Sequence, residues 1–589
     1  MKRKTWFWAL TPVAVALSLY GCGNGSDSDL AVDNNAQSCS VVSGTGSAVV
    51  VGSGLPGDPA APEAASGYRL GYKAKQSSNY MVVANTPLAT KAGCDVLKAG
   101  GTAVDAAVAV QAVLGLVEPQ SSTIAGSAFM MYYDAANKKV VAYDGRETAP
   151  AAATGYYLAR QDQSNASSPA PVPSARRSGR SIGVPGVMRM LDMAHKEHGK
   201  LAWAPLFDEG IRLASSGYKI PGRMGDAIRT NAANLQLDAN AVAAYFNADG
   251  TPKTTGTVTT NLPYAQSLRT LATGGADAMY SGPLAEALVA KAAQSVGDDV
   301  AKTPITPSLM TVTDLKNYQA KKREPVCTTY RSSYYICTMS PPSSGGIAIA
   351  QSLGILENFD LSQYGPTNPS NEGGVPSVMG VHLVSEAQRL AYADRDKYVA
   401  DTDFIPLPGN GVSSMIDKAY LKQRASLINA DGKSMGTAAA GDLGSVPLGV
   451  DKTVEKGTTH FSIVDAYGNV VSMTSTVESS MGSYHMVGGF LLTNQLTDFS
   501  VQPTDAAGVP VANRVAPGKR PRSTMAPTLV FKGTGPGEFV MATGSPGGGT
   551  IIQYVLKTVV GALDWGLDAQ QATSLVNFGA TNSPTTNVD

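Results

Sequence analysis

A mixed α/β fold is what the sequence predicts, and three stretches carry the prediction. Two β-branched, partly alternating runs, 460–465 and 470–477, are separated by Ala466-Tyr467-Gly468-Asn469 and read as a hairpin. An Ala/Val-rich segment from Ala103 to about Leu116 reads as a buried helix, and strand-like runs follow at 129–133 and 140–143. A glycine run, Gly544-Ser545-Pro546-Gly547-Gly548-Gly549, opens directly into an apolar helix over 550–563. With 589 residues, 43% of them hydrophobic, the chain has ample material for a large core. Its 46 Lys+Arg balance 46 Asp+Glu, so the electrostatic footprint of a nucleic-acid or anionic-membrane binder is absent.

In chain order, Met1-Lys2-Arg3-Lys4 and the apolar stretch 6–20 form a charged region plus a segment too short to span a bilayer, which reads as an export signal over 1–21. The ending Leu19-Tyr20-Gly21-Cys22 resembles a bacterial lipoprotein cleavage site, making Cys22 the candidate lipid-bearing residue. Ordinary cleavage and release into the periplasm is the alternative. Residues 22–67 have the composition of a flexible linker. Within it, Gly52-Ser53-Gly54-Leu55-Pro56-Gly57 fits a dinucleotide fingerprint, but Asp58-Pro59 follows where a phosphate-binding helix should start, so no nucleotide cofactor is expected.

Thr102-Ala103-Val104-Asp105 is a capping signal for the buried helix. His195 and His198 share a probable helix with no third ligand at metal spacing and are expected to be exposed; no metal is expected. Cys327 and Cys337 flank a β-rich stretch that pairs them across a hairpin turned at Ser332. Export permits a disulfide there, whereas Cys39 with Cys94 is only one option for the remaining pair. The polar, Gly-rich segment 438–457 is expected to be flexible.

The chemistry centres on the 460–477 hairpin. A turn centred on Tyr467 sets Thr458 opposite Thr476, with facing Cβ atoms roughly 4.5 to 5.5 Å apart. A threonine preceded by Gly457 could serve as a nucleophile, with its own backbone nitrogen as base once the Gly457-Thr458 bond is cut. From spacing alone, an ordinary threonine-rich hairpin is the simpler reading. At the glycine run, a helix start with close-approaching N–H groups suits an oxyanion, through Gly547 and Gly548, or a plain loop-to-helix turn.

Residues 458–500, opening Thr-Thr-His-Phe and closing Asn-Gln-Leu-Thr-Asp-Phe-Ser, resemble the start of the small subunit of γ-glutamyltranspeptidases, self-cleaving N-terminal-nucleophile hydrolases. Similar segments stand in the family's order at 92–110, 143–150 (Tyr-Asp-Gly-Arg-Glu-Thr-Ala-Pro), 183–187, 341–348, 519–528 (Lys-Arg-Pro-Arg-Ser-Thr-Met-Ala-Pro-Thr) and 543–548. The resemblance implies a four-layer αββα sandwich and a cut into a large subunit, 68–457, and a small one, 458–589. It implies Thr458 as nucleophile, Thr476 as the hydroxyl orienting it, and Gly547 and Gly548 as the oxyanion hole. Asp498 and Glu478 then hold the α-ammonium of a γ-glutamyl donor such as glutathione, while Arg146 and Ser523 hold its α-carboxylate, with Gln495 and Thr524 beside them. Water, amino acids or peptides are the implied acceptors, and a lipid anchor the only implied membrane contact.

Departures from the family pattern are Ile124-Ala125-Gly126-Ser127-Ala128 in place of a glycine run, Glu478 where many members have Asn, and Thr524 where a second Ser is usual. The 132 residues after the cut (589 − 457) are fewer than usual for the small subunit, so its last strands are expected to be missing. Two other readings remain at this point. One is an acylase for glutaryl-type side chains, whose substrate lacks the ammonium that Asp498 and Glu478 would hold; the other is an uncleaved lipoprotein acting as a binding module.

Overall fold

The computed structural model describes residues 73–370, 372–444 and 447–588. The export signal, Cys22, the linker with its glycine fingerprint, and Cys39 lie outside the described residues. The elements that frame the site are β1 (Met81–Val83), α1 (Pro87–Lys98), α2 (Ala103–Val117), β2 (Ser127–Asp134), β3 (Lys139–Gly145), α3 (Val187–His198), β4 (Lys321–Arg323), β5 (Val326–Tyr330), β6 (Tyr334–Thr338), α4 (Gly345–Leu356), α5 (Val378–Tyr398), β7 (Thr459–Val464), β8 (Val470–Thr476), β9 (Thr528–Lys532), β10 (Glu538–Thr543) and α6 (Ile551–Leu563).

Two antiparallel sheets are stacked between helices. The first has the order β1-β7-β8-β2-β3-β4 and the second β10-β9-β6-β5. Side chains alternate across a strand, so a strand covered on both faces is apolar along its covered length, as β2 is from Ala128 to Tyr133. Its Ala128, Met130 and Tyr132 join the core beneath α1 and α2, while Phe129, Met131 and Tyr133 join the core shared by the second sheet, α4, α5 and α6. The Tyr133 and Phe531 rings meet at 4.7 Å across the sheets, and the Ser472 hydroxyl donates to the Thr543 carbonyl at 2.9 Å. The result is the four-layer αββα sandwich, in which α2 is buried along its whole length.

Local signals place the elements. Thr102 and Asp105 form a reciprocal capping box at the start of α2. Cys327 and Cys337 face each other in the β5–β6 pair and are joined by a disulfide, with Arg331 and Ser332 at positive φ in the turn. Cys94 is buried within α1. His195 and His198 are half-buried, contrary to the expectation for a surface helix. His195 bonds the Leu201 carbonyl and lies 3.3 Å from Asp105, while His198 bonds the Tyr143 hydroxyl and stacks on Tyr132. The reason is tertiary: α3 packs against β3 and α2, so the histidine edge of α3 faces protein.

The hairpin carrying the site is tied down at its turn. Asp465 accepts the N–H groups of Tyr467 and Asn469, both at 2.9 Å, and the N–H of Ala103 at the start of α2, also at 2.9 Å. A buried carboxylate at a helix N-terminus meets both unpaired amides and a favourable dipole. Asp465→Ala should therefore strand these donors at about 1–3 kcal/mol each. Urea unfolding should show a clearly lower midpoint than for the parent protein, and an unchanged midpoint would remove Asp465 from this role.

Candidate active site

The β7–β8 ladder ends at Ser475 opposite Thr459, so the next pair in register is Thr476 and Thr458. In the uncut chain both hydroxyls converge on one atom, the carbonyl oxygen of Gly457. The Thr458 hydroxyl bonds it, and the Thr476 hydroxyl donates to it at 2.8 Å. The Thr476 oxygen accepts the N–H of Glu478 at 2.8 Å, which leaves its proton for Gly457. Gly457 has φ +24°, and a Cβ there would stand 2.3 Å from the Glu478 carbonyl, so only glycine fits. His460 is no competing base. Its ring is held between the hydroxyls of Thr474 and Ser462, and burial pushes its pKa down to about 3.

The glycine loop lies against the segment before the cut. Gly547 and Gly548 have φ +141° and +55°, and a Cβ on Gly548 would be 2.4 Å from the Glu455 carbonyl. The Gly549 N–H donates to that carbonyl at 3.0 Å, and the Thr524 hydroxyl donates to the Gly548 carbonyl at 2.7 Å. Among the described residues no acceptor meets the N–H of Gly547 or Gly548.

A buried charged cluster lies beside the threonines. Arg146, one residue beyond β3, is fully buried and donates to Asp498 at 2.6 Å, to the carbonyls of Pro521 and Arg522 at 3.1 and 2.7 Å, and to Ser127. Ser127 in turn donates to Gln495. Glu478 pairs with Arg176, at positive φ and with its side chain wholly buried. One oxygen of each carboxylate, Oδ1 of Asp498 and Oε1 of Glu478, is buried without a partner. Burial, with the nearby Glu478 charge added, holds the Asp498 carboxyl well above the usual range, against the pull of Arg146. Ser523 pairs with Ser343 through a parallel bridge, and its hydroxyl accepts the Met525 N–H at 3.1 Å.

A model of the γ-glutamyltranspeptidase family matches residues 89–588. The chain belongs to that family. It is 36% identical over 506 residues to the glutathione hydrolase proenzyme of Bacillus subtilis (strain 168), covering 84% of this chain and 79% of that one. It is 32% identical over 503 residues to the acylase ACY 1 proenzyme of Pseudomonas sp. (strain SE83), covering 85% and 82%. The crystal structure of cephalosporin acylase from Bacillus halodurans superposes with TM-score 0.72 at 23% identity, covering 88% of both chains, and shares the fold. The chain is thus an enzyme of the γ-glutamyltransferase and glutathione hydrolase kind.

Three of its residues at the site gave no local signal. Arg176 reaches Glu478 from a 3-10 turn far upstream. Arg395 on α5 and Glu455, three residues before Thr458, bond each other at 2.5 Å. The segment expected to be flexible is pinned over its last residues, because Asp451 takes bonds from Arg522 and Asn513 at 3.1 and 2.9 Å. A polar composition hides this, since the partners are distant in sequence.

Removing one member of a buried ion pair leaves an uncompensated charge and costs about 3–5 kcal/mol. Arg146→Ala should therefore lower the thermal midpoint sharply, and adding Asp498→Asn should restore a large part of it. Additive losses in this double-mutant cycle would mean that the pair is not coupled.

Proposed function

We propose that the chain is an autocatalytically processed γ-glutamyltranspeptidase that cleaves the γ-glutamyl amide of glutathione-like donors through a Thr458 acyl-enzyme. The observation carrying this reading is the convergence of the Thr458 and Thr476 hydroxyls on the Gly457 carbonyl. Thr476 polarises that carbonyl while the Thr458 oxygen adds to its carbon. The Gly457–Thr458 C–N bond breaks as the amide nitrogen takes the hydroxyl proton, leaving an ester. Water then hydrolyses the ester, giving a carboxylate at Gly457 and a free α-amine and hydroxyl on Thr458.

That amine makes the second reaction possible. With a reference pKa of about 7.7 to 8.0 it can take a proton near neutrality, which an amide nitrogen cannot. It removes the Thr458 hydroxyl proton as the oxygen attacks the donor's γ-carbonyl, and it returns the proton to the departing amine. Gly547 and Gly548 stabilise the oxyanion through their N–H groups. Water or an amino-acid amine then takes the γ-glutamyl group from Thr458. The donor's ammonium fits the two buried, unpartnered oxygens of Asp498 and Glu478, and its α-carboxylate fits Arg146, Ser523 and Thr524. A glutaryl-type substrate offers no cation to those oxygens, which counts against the acylase reading. An export signal and a lipid on Cys22 fit an enzyme meeting its donors outside the cytoplasm.

Thr458→Ala should remain one band on a denaturing gel and be inactive, while the smaller wild-type fragment should begin Thr-Thr-His-Phe-Ser. A fragment starting elsewhere, or a cleaved and active Ala variant, would overturn the assignment. Thr476→Val keeps the side-chain shape but removes the donor to Gly457. Its precursor should mature about 100-fold or more slowly, whereas Thr476→Ser should mature readily. Equal maturation rates for Val and Ser would exclude the hydroxyl. Hydrolysis by the mature wild-type enzyme should rise with pH through about 7.7 to 8.0 as the amine loses its proton. A profile flat across that range would exclude the α-amine as base.

A further inference from the structure

The segment leading to the cut carries a side chain whose chemistry matches that of the donor. Glu455 is turned inward, 5% exposed, while its neighbours Val454 and Lys456 are exposed. Arg395 donates to one of its oxygens at 2.5 Å, and the backbone N–H of Thr524 donates to the other. Thr524 adjoins Ser523, the residue assigned above to the donor's α-carboxylate. The Glu455 charge also opposes the ionisation of Asp498.

Arg395 does not need Glu455 to hold its place. Its Nε donates to the Ser344 hydroxyl and its Nη1 to Asp396, both at 2.9 Å, and the side chain is 5% exposed. Withdrawal of Glu455 would leave a fixed, buried guanidinium and a backbone N–H facing an empty carboxylate position. Cleavage supplies the reason to withdraw. It severs the tether to Thr458 and creates a new carboxylate at Gly457 among Glu455, Glu478 and Asp498, while Asp451 stays anchored to Arg522 and Asn513 as a hinge.

We propose that Glu455 occupies the donor's carboxylate position in the precursor, and that Arg395, together with the Thr524 N–H, binds the α-carboxylate of the γ-glutamyl donor once the cut segment withdraws. This rests on the γ-glutamyl reading above and adds a ligand to it. The precursor is then closed to donors by its own side chain, and self-cleavage both makes the base and empties the site.

The test compares two anilide donors on the cleaved enzyme, γ-glutamyl and 4-aminobutyryl, the second lacking only the α-carboxylate. Arg395→Lys should raise KM for the γ-glutamyl donor about 10- to 100-fold, the size of a lost charge-assisted hydrogen bond. KM for the 4-aminobutyryl donor should stay where it was. An unchanged γ-glutamyl KM, or an equal rise for both donors, would overturn the assignment.

Should the variant fail to fold or cleave, a crystal structure of the cleaved wild-type protein soaked with L-glutamate decides. The ligand's α-carboxylate on Arg395 with Glu455 displaced supports the proposal. Glu455 still on Arg395, or a carboxylate held by Arg146 and Ser523 alone, overturns it. A wild-type chain that neither cleaves nor turns over the γ-glutamyl anilide would instead sink the functional reading itself.

Discussion

The two hydroxyl contacts on the Gly457 carbonyl depend on the register of one hairpin, and the surrounding layers exist in a form that fixes it. A slip of one residue between β7 and β8 would turn Thr476 to the opposite face and swap every side chain of the strand between two cores. Both cores resist that. Val471 and Met473 pack under the α2 layer while Val470 packs toward the second sheet, and β8 is paired on both sides along its length. Asp465 fixes the turn from which the register is counted and bonds it to the first amide of α2. Gly457 completes the constraint, because its φ and its contact with Glu478 leave no room for a side chain.

Beside this rigid hairpin the protein keeps an unusual amount of buried charge. Arg146, Arg395 and Arg522 are each almost wholly inaccessible, and each holds a carboxylate, from Asp498, Glu455 and Asp451 respectively. Such pairs contribute little net stability, since desolvation offsets most of the Coulomb attraction. Apolar residues of similar volume would serve the fold as well, so the charges of Arg146 and Arg395 fit the binding role proposed for them. Guanidinium groups suit it because they stay charged when buried and present planar pairs of donors to carboxylates. On the proposed reading the orphaned oxygens of Asp498 and Glu478 have the same meaning with opposite sign: they are acceptors kept dry for the ammonium of the donor.

What the sequence made legible was local or paired by symmetry. The hairpin centre at Tyr467, the Thr102–Asp105 box, and the facing of Cys327 and Cys337 about Ser332 all follow from spacings of a few residues, and the structure has each of them. The αββα layering came from resemblance, because no periodicity tells β1 that its neighbour is β7, some 380 residues later. The site residues divide the same way. Thr458 and Thr476 could be placed by counting across a turn, whereas the direct Arg146–Asp498 pair and the Arg176–Glu478 pair join residues more than 300 positions apart. His195 and His198 were misplaced for the same reason, since helix periodicity says which residues share a face but not what covers it.

In the mechanism proposed above, the geometry also explains why one pair of threonines can run two reactions in sequence. In the precursor the carbonyl under attack belongs to the chain, and the hairpin delivers it at fixed distance with a donor already on its oxygen, so the cost of bringing reactants together is met by folding. The product of that step is a changed group at the same place: an amide nitrogen, which cannot accept a proton at neutral pH, becomes an amine that can. Only the cut segment then has to withdraw for a donor carbonyl to take the place of the Gly457 carbonyl. Activity is thereby confined to chains that have folded well enough to set the register, because the same contacts that make the cut also prove the site.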